Sequence, residues 1–331
     1  MLRVGIIGAG FMGGLHAASW AVTPVTLAGV YALDPEMVQS IINRYGGHAY
    51  ATVDALIDDV DVVDICAPTH VHYELALKAA TAGKHVVCEK PLARTIPQAE
   101  EMIAACEQAG VKLLVGHVVR YFPQYAQAKA LVERGEIGDV AVVRLTRASF
   151  KPKRAVDNWF MDTAKSGGMV LDLMLHDFDY ARWIAGEVES VFAKNVSSKR
   201  PEAPGDYALA ILRHTSGAIS NLESAWAYPP PLFRTSLQIA GSRGLIDHPV
   251  DSAIPLRVTV MKESADTPDI AVPSSPLLEP PYTTQLKEFY EALVHDATPR
   301  VTAHDALMAL RLAFAAIRSA ETGRPIAPQE V

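Results

Sequence analysis

The sequence predicts an α/β first half built on a doubly wound parallel sheet, followed by a sheet-rich α+β second half. Three observations lead to this prediction. A glycine-rich turn directly follows the first strand, strands and helices alternate up to about residue 115, and consecutive strands joined by short turns follow residue 188. We place the domain boundary where the pattern changes, so that residues 1–121 form the first domain and residues 122–331 the second.

Length, composition and charge limit the class of protein. The 331 residues suggest two domains, and 50% hydrophobic with 20% charged residues is ordinary for a globular chain. A net charge of −7 argues against binding to nucleic acid or to an anionic membrane. The three cysteines form no CxxC motif, no apolar run is long enough to span a bilayer, and the first residues lead straight into a strand. We therefore expect reduced thiols, no membrane partner and a cytoplasmic location.

The first element is a β-branched strand over residues 2–7, followed by the turn Gly8–Gly13. A helix over 14–21 and a second strand over 25–33 come next, and Asp34 ends that strand. A strand, a GxGxxG turn, a helix, a strand and an acid roughly 20 residues further on match the dinucleotide-binding fingerprint of a Rossmann domain.

Each position of the glycine turn has a physical reason. Gly8 permits the tight turn, Gly10 lets the backbone approach a pyrophosphate, and Gly13 allows close packing of helix on strand. The N-terminus of the helix over 14–21 offers free N–H groups and a partial positive charge to phosphate oxygens, and Phe11 and Met12 of the turn are counted among the cofactor contacts. The turn therefore predicts binding of NAD or NADP.

The alternation continues to residue 115, and it predicts that ligands meet the loops at the carboxyl ends of the strands. Two loops fall there: one runs from Pro68 to His72, directly after Ala67, and the other from Glu89 to Pro91. Thr69 and His72 either line the nicotinamide ribose or cap their loop. The predicted elements are helices at 54–58, 74–82 and 98–108 and strands at 60–67, 85–88 and 111–115.

The second half is predicted to form a large open sheet, mostly antiparallel, with helices on one face. Its elements are helices at 124–134, 166–184, 283–294 and 304–322 and strands at 140–148, 188–196, 206–214, 217–227, 234–240 and 244–248. Leu209, Ile211, Leu237 and Ile239 are expected on the face away from the helices. An apolar face of this kind predicts that another subunit covers the sheet.

The stretch Ser166 to Trp183 opens with two glycines and continues as an apolar run that contains several acids and a histidine. In a regular helix Asp172 and His176 are four residues apart and share a face. Held side by side they suit proton transfer, because the carboxylate orients the imidazole and raises its basicity; a partly exposed ion pair is the alternative. We expect no metal, since adjacent residues such as His176 and Asp177 point apart on a helix.

Lys90 lies between Glu89 and a proline, on the loop that would face the nicotinamide. A lysine there would hold a substrate hydroxyl, although a solvated surface lysine is the alternative. Trp159 precedes the central helix and is either a cofactor contact or a core residue. Four basic residues near that point would attract an acidic substrate or would form a solvated face: Lys151, Lys153, Arg154 and Lys165.

Four stretches resemble one known family. They are AGKHVVCEKPLA at 82–93, GHVVRYFP at 116–123, SGGMVLDLMLHDFDYARW at 166–183 and VTAHDALMALRLAFAAIRSAETGRPI at 301–326. These stretches resemble the Gfo/Idh/MocA family of NAD(P)-dependent oxidoreductases, named after glucose–fructose oxidoreductase, inositol dehydrogenase and a rhizopine-catabolism protein. The resemblance extends from residue 1 to about residue 326.

The resemblance implies a dehydrogenase acting on a secondary hydroxyl of a sugar, cyclitol or sugar derivative, and a homodimer or homotetramer joined through the second-domain sheet. It implies His176 as general base, Lys90 as the group that holds the substrate oxygen, and Asp172 as the residue that orients both. Outside the glycine turn, we assign cofactor contacts to Asp34, Ala67, Pro68, Thr69, His72, Glu89, Lys90 and Trp159.

One position departs from the family pattern. NAD-preferring relatives commonly carry an acid at the position of Ala32, where it would bind the ribose hydroxyls and repel a 2′-phosphate. No arginine adjoins Ala32 to attract that phosphate, so we favour NAD, with Asp34 on the ribose. Two other functions stay open: action on a dihydrodiol-like or bile-pigment-like substrate, and a cofactor-binding sensor without turnover.

Overall fold

The computed structural model describes residues 1–152, 158–197, 206–248 and 279–331. The chain folds into two compact units, one formed by residues 1–122 with 276–307 and the other by 123–275 with 308–331. The division into domains at 121/122 stays a prediction. Lys153 and Arg154 of the basic stretch lie outside the described residues.

The first unit contains a six-stranded parallel sheet with the order β3-β2-β1-β4-β5-β6, which confirms the predicted doubly wound fold. Strand order reverses between β1 and β4, so a crevice opens there at the carboxyl ends of the strands. The strands are β1 (Arg3–Ile7), β2 (Thr26–Tyr31), β3 (His48–Ala49), β4 (Val62–Ile65), β5 (His85–Glu89) and β6 (Leu113–Gly116).

Five helices connect these strands: α1 (Phe11–Trp20), α2 (Pro35–Tyr45), α3 (Val53–Asp59), α4 (His72–Thr81) and α5 (Ile96–Gln108). Helix α2 and strand β3 are not among the predicted elements. A signal for α2 exists, because Asp34 accepts hydrogen bonds from the N–H groups of Glu36 and Met37, and Pro35 occupies the first turn. An acidic N-cap followed by proline is a typical helix start.

The second unit contains a six-stranded sheet with the order β12-β11-β7-β10-β9-β8. Strands β7 and β10 pair in parallel and the other pairs are antiparallel, so the prediction of a mostly antiparallel sheet is confirmed. The strands are β7 (Val140–Ser149), β8 (Val188–Ser197), β9 (Asp206–His214), β10 (Ile219–Trp226), β11 (Phe233–Gly241) and β12 (Leu245–His248).

Helices α6 (Pro123–Glu133), α7 (Thr163–Ser166) and α8 (Leu175–Ala185) belong to the second unit, and α8 packs on β7 and β10. Leu209 and Ile211 of β9 are half exposed, as predicted. The same prediction is wrong for Leu237 and Ile239, which are buried. Strand β11 pairs Leu237 with Leu145 and Ile239 with buried Val143, and this register places both side chains on the covered face.

Helix α9 (Pro281–His295) packs on α1 in the first unit, and its apolar face joins the core around β1. Leu286 and Phe289 are fully buried there, and Ser19 Oγ lies 3.0 Å from Thr283 Oγ1. Burial of a side chain of this size contributes about 1.5–3 kcal/mol. The last long helix, α10 (Ala303–Thr322), follows. Within the described ranges, no helix is both long and apolar enough to cross a membrane.

Candidate active site

The glycine turn between β1 and α1 leaves no room for a side chain at Gly8 or at Gly13. A Cβ on Gly13 would lie 1.9 Å from the Gly8 carbonyl oxygen, and Gly8 itself has φ +112°. Helix α1 begins at Phe11, and no side chain caps its first turn among the described residues. Its first N–H groups therefore lack intrahelical acceptors and suit phosphate oxygens. The arrangement fits the pyrophosphate of a dinucleotide.

The loop after β4 lies directly beside the glycine turn. A Cβ on Gly8 would lie 2.5 Å from the Cys66 carbonyl oxygen, so the two backbones touch at the reversal of strand order. Ala67 and Pro68 are half-buried at this point, whereas the Thr69 side chain is buried. Ligands of doubly wound sheets bind in this crevice, which supports the assignment of the loop to cofactor contacts.

Asp34 caps the N-terminus of helix α2 at the end of β2. Its Oδ1 accepts hydrogen bonds of 3.0 Å and 3.2 Å from the N–H groups of Glu36 and Met37. The cap fixes an exposed carboxylate next to Leu33, whose side chain is 93% exposed. The ribose contact assigned to Asp34 stays a prediction, and a cap of this kind holds the carboxylate where β2 ends.

Lys90 is half-buried and follows directly after β5. Its backbone N–H donates a 3.1 Å hydrogen bond to Oε2 of Glu89, and the peptide bond between Lys90 and Pro91 is cis. The Glu89 side chain is buried at 5% exposure. Lys90 therefore belongs to a defined turn at the carboxyl end of β5, where doubly wound sheets bind ligands, and its role in catalysis stays a prediction.

A buried network under the Lys90 turn is not foreseen from the sequence. His16 of α1 lies between two acids: its Nδ1 is 2.9 Å from Asp64 Oδ2 and its Nε2 is 3.2 Å from Glu89 Oε1. Trp20 Nε1 donates a 2.7 Å hydrogen bond to the same Asp64 oxygen. Burial by itself lowers the pKa of His16, but the Asp64 carboxylate outweighs it and the pKa is raised well above 6.5. His16 is therefore an imidazolium that donates to both carboxylates.

One atom each from His16, Asp64 and Cys66 lies within 4.8 Å of the others, which is a possible metal-ligand set. Hydrogen bonds already account for the arrangement, because Asp64 receives donors from both His16 and Trp20. Burial raises the pKa of the Cys66 thiol, which disfavours the thiolate that binds metals. We interpret the cluster as a hydrogen-bonded charge network.

His72 is buried at the first turn of α4. Its Nδ1 lies 2.9 Å from the Pro91 carbonyl oxygen and its Nε2 lies 2.9 Å from the Ala67 carbonyl oxygen. Burial lowers its pKa, so the ring is neutral and its one N–H donates to one of these two carbonyl oxygens, while the other nitrogen lies beside the second. Of the two alternatives for His72, this geometry supports loop capping, and a direct ribose contact stays a prediction.

The helix that carries Asp172 and His176 is not regular. Gly167 and Gly168 adopt left-handed φ angles, and a π-helical turn spans Val170–Met174 before α8 begins. The expectation of one regular helix over 166–184 is therefore wrong in its first part. Hydrogen bonds from i to i+5 widen this turn by one residue, so the simple i, i+4 geometry does not apply to the pair. Both side chains are half-buried.

Asp177, next to His176, anchors α8 to the sheet. Arg147 of β7 donates to it through Nε at 3.1 Å and through its terminal nitrogen at 2.9 Å, and Ser224 Oγ lies 3.5 Å away. Burial alone lowers the pKa of Arg147, but Asp177 reverses this and raises it. Both side chains are almost fully buried, and sequence patterning alone does not pair them.

The segment before the central helix has its own contacts. Trp159 is half-buried and stacks on Phe160 with ring centroids 4.0 Å apart. Asn158 donates through Nδ2 to the Pro152 carbonyl oxygen at 3.1 Å, and Lys151 lies 3.6 Å from Asp206. A cofactor contact by Trp159 stays a prediction, and the contact with Asp206 shows that one of the four basic residues has an acidic neighbour.

Two family models match the chain in succession. The model described as an oxidoreductase family with an NAD-binding Rossmann fold matches residues 2–117, and that described as a GFO/IDH/MocA C-terminal domain matches residues 125–247. Together these matches confirm the resemblance and the prediction of NAD or NADP as cofactor class.

Named relatives and solved structures are consistent with these family matches. A myo-inositol 2-dehydrogenase of Thermotoga maritima is 31% identical over 100% of this chain and 99% of its own. A protein of gentamicin A biosynthesis, solved in complex with NAD, has a TM-score of 0.85 at 27% identity and covers 98% of this chain and 96% of its own. A levoglucosan dehydrogenase with NADH and L-sorbose has a TM-score of 0.83 at 25% identity, over 99% and 98% of the two chains.

Proposed function

The chain belongs to the GFO/IDH/MocA family of oxidoreductases, and we propose that it transfers hydride between a nicotinamide cofactor and a secondary hydroxyl or ketone of a sugar, cyclitol or sugar derivative. The observation that carries the proposal is the turn with Lys90, which stands after β5 at the ligand-binding edge of the dinucleotide sheet. The inositol and levoglucosan dehydrogenases among its relatives support the substrate class.

Three side chains act on the reacting hydroxyl in this proposal. His176 takes the hydroxyl proton as general base during oxidation and returns it during reduction. The Lys90 ammonium donates a hydrogen bond to the same oxygen and favours its developing negative charge. Asp172 orients the substrate and the imidazole. The nicotinamide, when bound, supplies the hydride chemistry, and the protein supplies geometry and proton transfer.

The cofactor is held chiefly by backbone. The N–H groups at the start of α1 bind phosphate oxygens, and the close approach of the Gly8 and Cys66 backbones sets the floor of the crevice. Ala32 offers neither an acid against a 2′-phosphate nor a base for it, and we favour NAD. The residues proposed to contact cofactor are Gly8, Gly10, Phe11, Met12, Gly13, Asp34, Ala67, Pro68, Thr69, His72, Glu89, Lys90 and Trp159.

The proposal extends to assembly and location. Half-exposed Leu209 and Ile211 on the open face of the second sheet support a homodimer or homotetramer joined there. Unpaired Cys66, Cys88 and Cys106 agree with a cytoplasmic protein.

The test measures formation of reduced nicotinamide with NAD⁺ and NADP⁺ in parallel, over cyclitols, aldoses, anhydrosugars and uronic acids. We expect turnover with at least one member and a lower KM for NAD⁺. Lys90→Met should lower kcat by about 10²–10³-fold while cofactor still binds, because the stabilising donor is lost and the dinucleotide fold is kept.

Lys78→Met is the matched control, because Lys78 lies on an exposed face of α4 beside Asp54. It should retain wild-type kcat. Full activity of Lys90→Met would contradict the catalytic assignment. Tight cofactor binding with no turnover on any substrate would favour a sensor over an enzyme.

A further inference from the structure

The turn that carries Lys90 contacts a buried histidine on each side. The role inferred for these histidines rests on the proposed function of Lys90. On one side Glu89 carries the contacts: its Oε2 accepts the Lys90 backbone N–H, and its Oε1 lies 3.2 Å from His16 Nε2. On the other side the Pro91 carbonyl oxygen lies 2.9 Å from His72 Nδ1. We propose that His16 and His72 are positioning residues that fix the Glu89–Lys90–Pro91 turn and thereby direct the Lys90 ammonium.

On the side of His16, the contacts that hold Glu89 depend on charge. Its imidazolium lies between two buried carboxylates, and Asp64 is itself held by Trp20 at 2.7 Å. His16 thus links a strand of the sheet centre, β4, to the last residue of β5. A carboxylate that is buried and accepts donors from two directions has few alternative rotamers. Glu89 therefore holds the Lys90 N–H in one place.

The space around Glu89 supports the same conclusion. Gly116 of β6 lies beside the Glu89 carboxylate, and a Cβ on Gly116 would be 2.6 Å from Oε1. The side chain thus occupies a gap that exists because residue 116 lacks a Cβ. Addition of a methyl group at Gly116 would displace the carboxylate without removal of any hydrogen-bonding group.

On the side of His72, the contacts are made to backbone carbonyl oxygens. The ring spans from the Ala67 carbonyl, after β4, to the Pro91 carbonyl, after β5. A neutral imidazole carries one N–H, and the proposal assigns it to Nδ1 as donor to Pro91. His72 of α4 then holds the loop that bears Lys90 through this one hydrogen bond, and its Nε2 only lies beside the Ala67 carbonyl. A shift of about 1 Å in a positioned group can cost about 10²-fold in rate, so both histidines should affect kcat.

Substitution by asparagine or by glutamine tests the two nitrogens of each histidine ring separately. The asparagine amide lies near the position of Nδ1, and the glutamine amide lies near the position of Nε2. His16→Gln retains a donor for Glu89, whereas His16→Asn does not. His72→Asn retains the donor for Pro91, whereas His72→Gln does not. We expect kcat to fall by about 10–10²-fold in His16→Asn and His72→Gln, with the KM for the cofactor changed less than about threefold in His16→Asn. The matched variants His16→Gln and His72→Asn should lose clearly less kcat. Gly116→Ala should lose as much kcat as His16→Asn.

A second readout needs no substrate. An amine-reactive label is applied to the folded protein, and mass spectrometry compares its rate of attachment at Lys90 with that at Lys78 in the same molecule. We expect the Lys90 to Lys78 ratio to rise at least about threefold in His16→Asn and His72→Gln, and to stay near wild type in their partners. Cofactor affinity and urea midpoints are measured for every variant.

The outcomes are distinguishable. If Lys90→Met loses activity while all histidine variants keep both kcat and the labelling ratio, the positioning role is wrong and the catalytic proposal stands. If no substrate is turned over but the labelling ratio follows the retained nitrogen, the positioning role stands and the proposed function is wrong. If kcat follows the urea midpoint of each variant and ignores which nitrogen is kept, His16 and His72 are structural only.

Discussion

His16 illustrates at the residue scale how a buried charge is tolerated. The ring has no exposed surface, and an isolated ion there would be costly. Asp64 on one nitrogen and Glu89 on the other supply compensating charge, while Trp20 supplies a further donor to Asp64. The imidazolium stays charged because the Asp64 carboxylate raises its pKa.

The raised pKa predicts a pH dependence of stability. Below about pH 6.5 both the folded and the unfolded imidazole are protonated, and the full stabilisation is present. Between 6.5 and the folded pKa only the folded form holds the proton, so the contribution of His16 falls by up to about 1.4 kcal/mol per pH unit. The charged or titratable groups that face the ring are Asp64, Glu89 and Cys66.

The measurement is urea unfolding of wild type and His16→Gln from pH 6 to pH 9. The difference in unfolding free energy between them should be largest at pH 6 and should decrease as the pH rises. An equal or growing difference at pH 9 would mean that His16 is neutral in the folded protein.

Helix α8 and the π-helical turn before it form the element that carries His176. The turn over Val170–Met174 interrupts the regular hydrogen bonding, and α8 resumes directly after it. Asp177 lies in the first turn of α8 and is bound by Arg147 through three contacts of 2.9–3.1 Å. The ion pair therefore sets where α8 lies on the sheet immediately after the irregular turn.

Removal of one partner of this pair should be costly. Asp177→Ala leaves Arg147 buried and unpaired, and we expect the free energy of unfolding to fall by about 3–5 kcal/mol. Asp54→Ala is the control, because its ion pair with Lys78 is exposed and should contribute no more than about 1 kcal/mol.

Chemical denaturation checks this prediction by comparing the single variant with a double variant in which both partners of the ion pair are replaced by apolar residues. The double variant Arg147→Met with Asp177→Leu should be more stable than Asp177→Ala alone, since it leaves no unpaired charge. If Asp177→Ala costs no more than the exposed control, the buried pair does not anchor α8.

The whole molecule is predicted to assemble through the open face of the second sheet. Leu209 is 46% and Ile211 is 47% exposed on β9, and neighbouring Ile219 of β10 is 45% exposed. Alternation in β9 buries the intervening residues beneath, so these side chains form a row on one face. A row of half-exposed apolar side chains on a sheet is typical of an interface.

Light scattering after size exclusion tests the assembly. The wild-type chain should elute as a dimer or tetramer, and Leu209→Glu with Ile211→Glu should give a smaller species at the same concentration, since two buried charges oppose association. Val294→Glu, on an exposed site of α9, is the control and should not change the mass. A monomeric wild type, or an unchanged mass of the double variant, would contradict the prediction.

Local patterns identified much of the first unit and its ligand-binding loops. The GxGxxG turn, the strand–helix alternation and the Glu89–Lys90–Pro91 stretch are contiguous, and each encodes a local conformation that the structure contains. Helix α2 also has a local signal in Asp34 and Pro35, so its omission from the predicted elements does not mark a limit of the sequence. The π-helical turn has no comparable signal, since apolar periodicity looks the same across it.

The sequence by itself determined the family, the dinucleotide fold and the positions of Lys90, Asp172 and His176 along the chain. Only the tertiary structure decided the partners of the buried charges: His16 with Asp64, 48 positions away, and Asp177 with Arg147, 30 positions away. It also decided that β11 turns Leu237 inward. The physical reason is that periodicity encodes local backbone conformation, whereas side-chain partners depend on strand order and register, which arise from packing of the whole sheet.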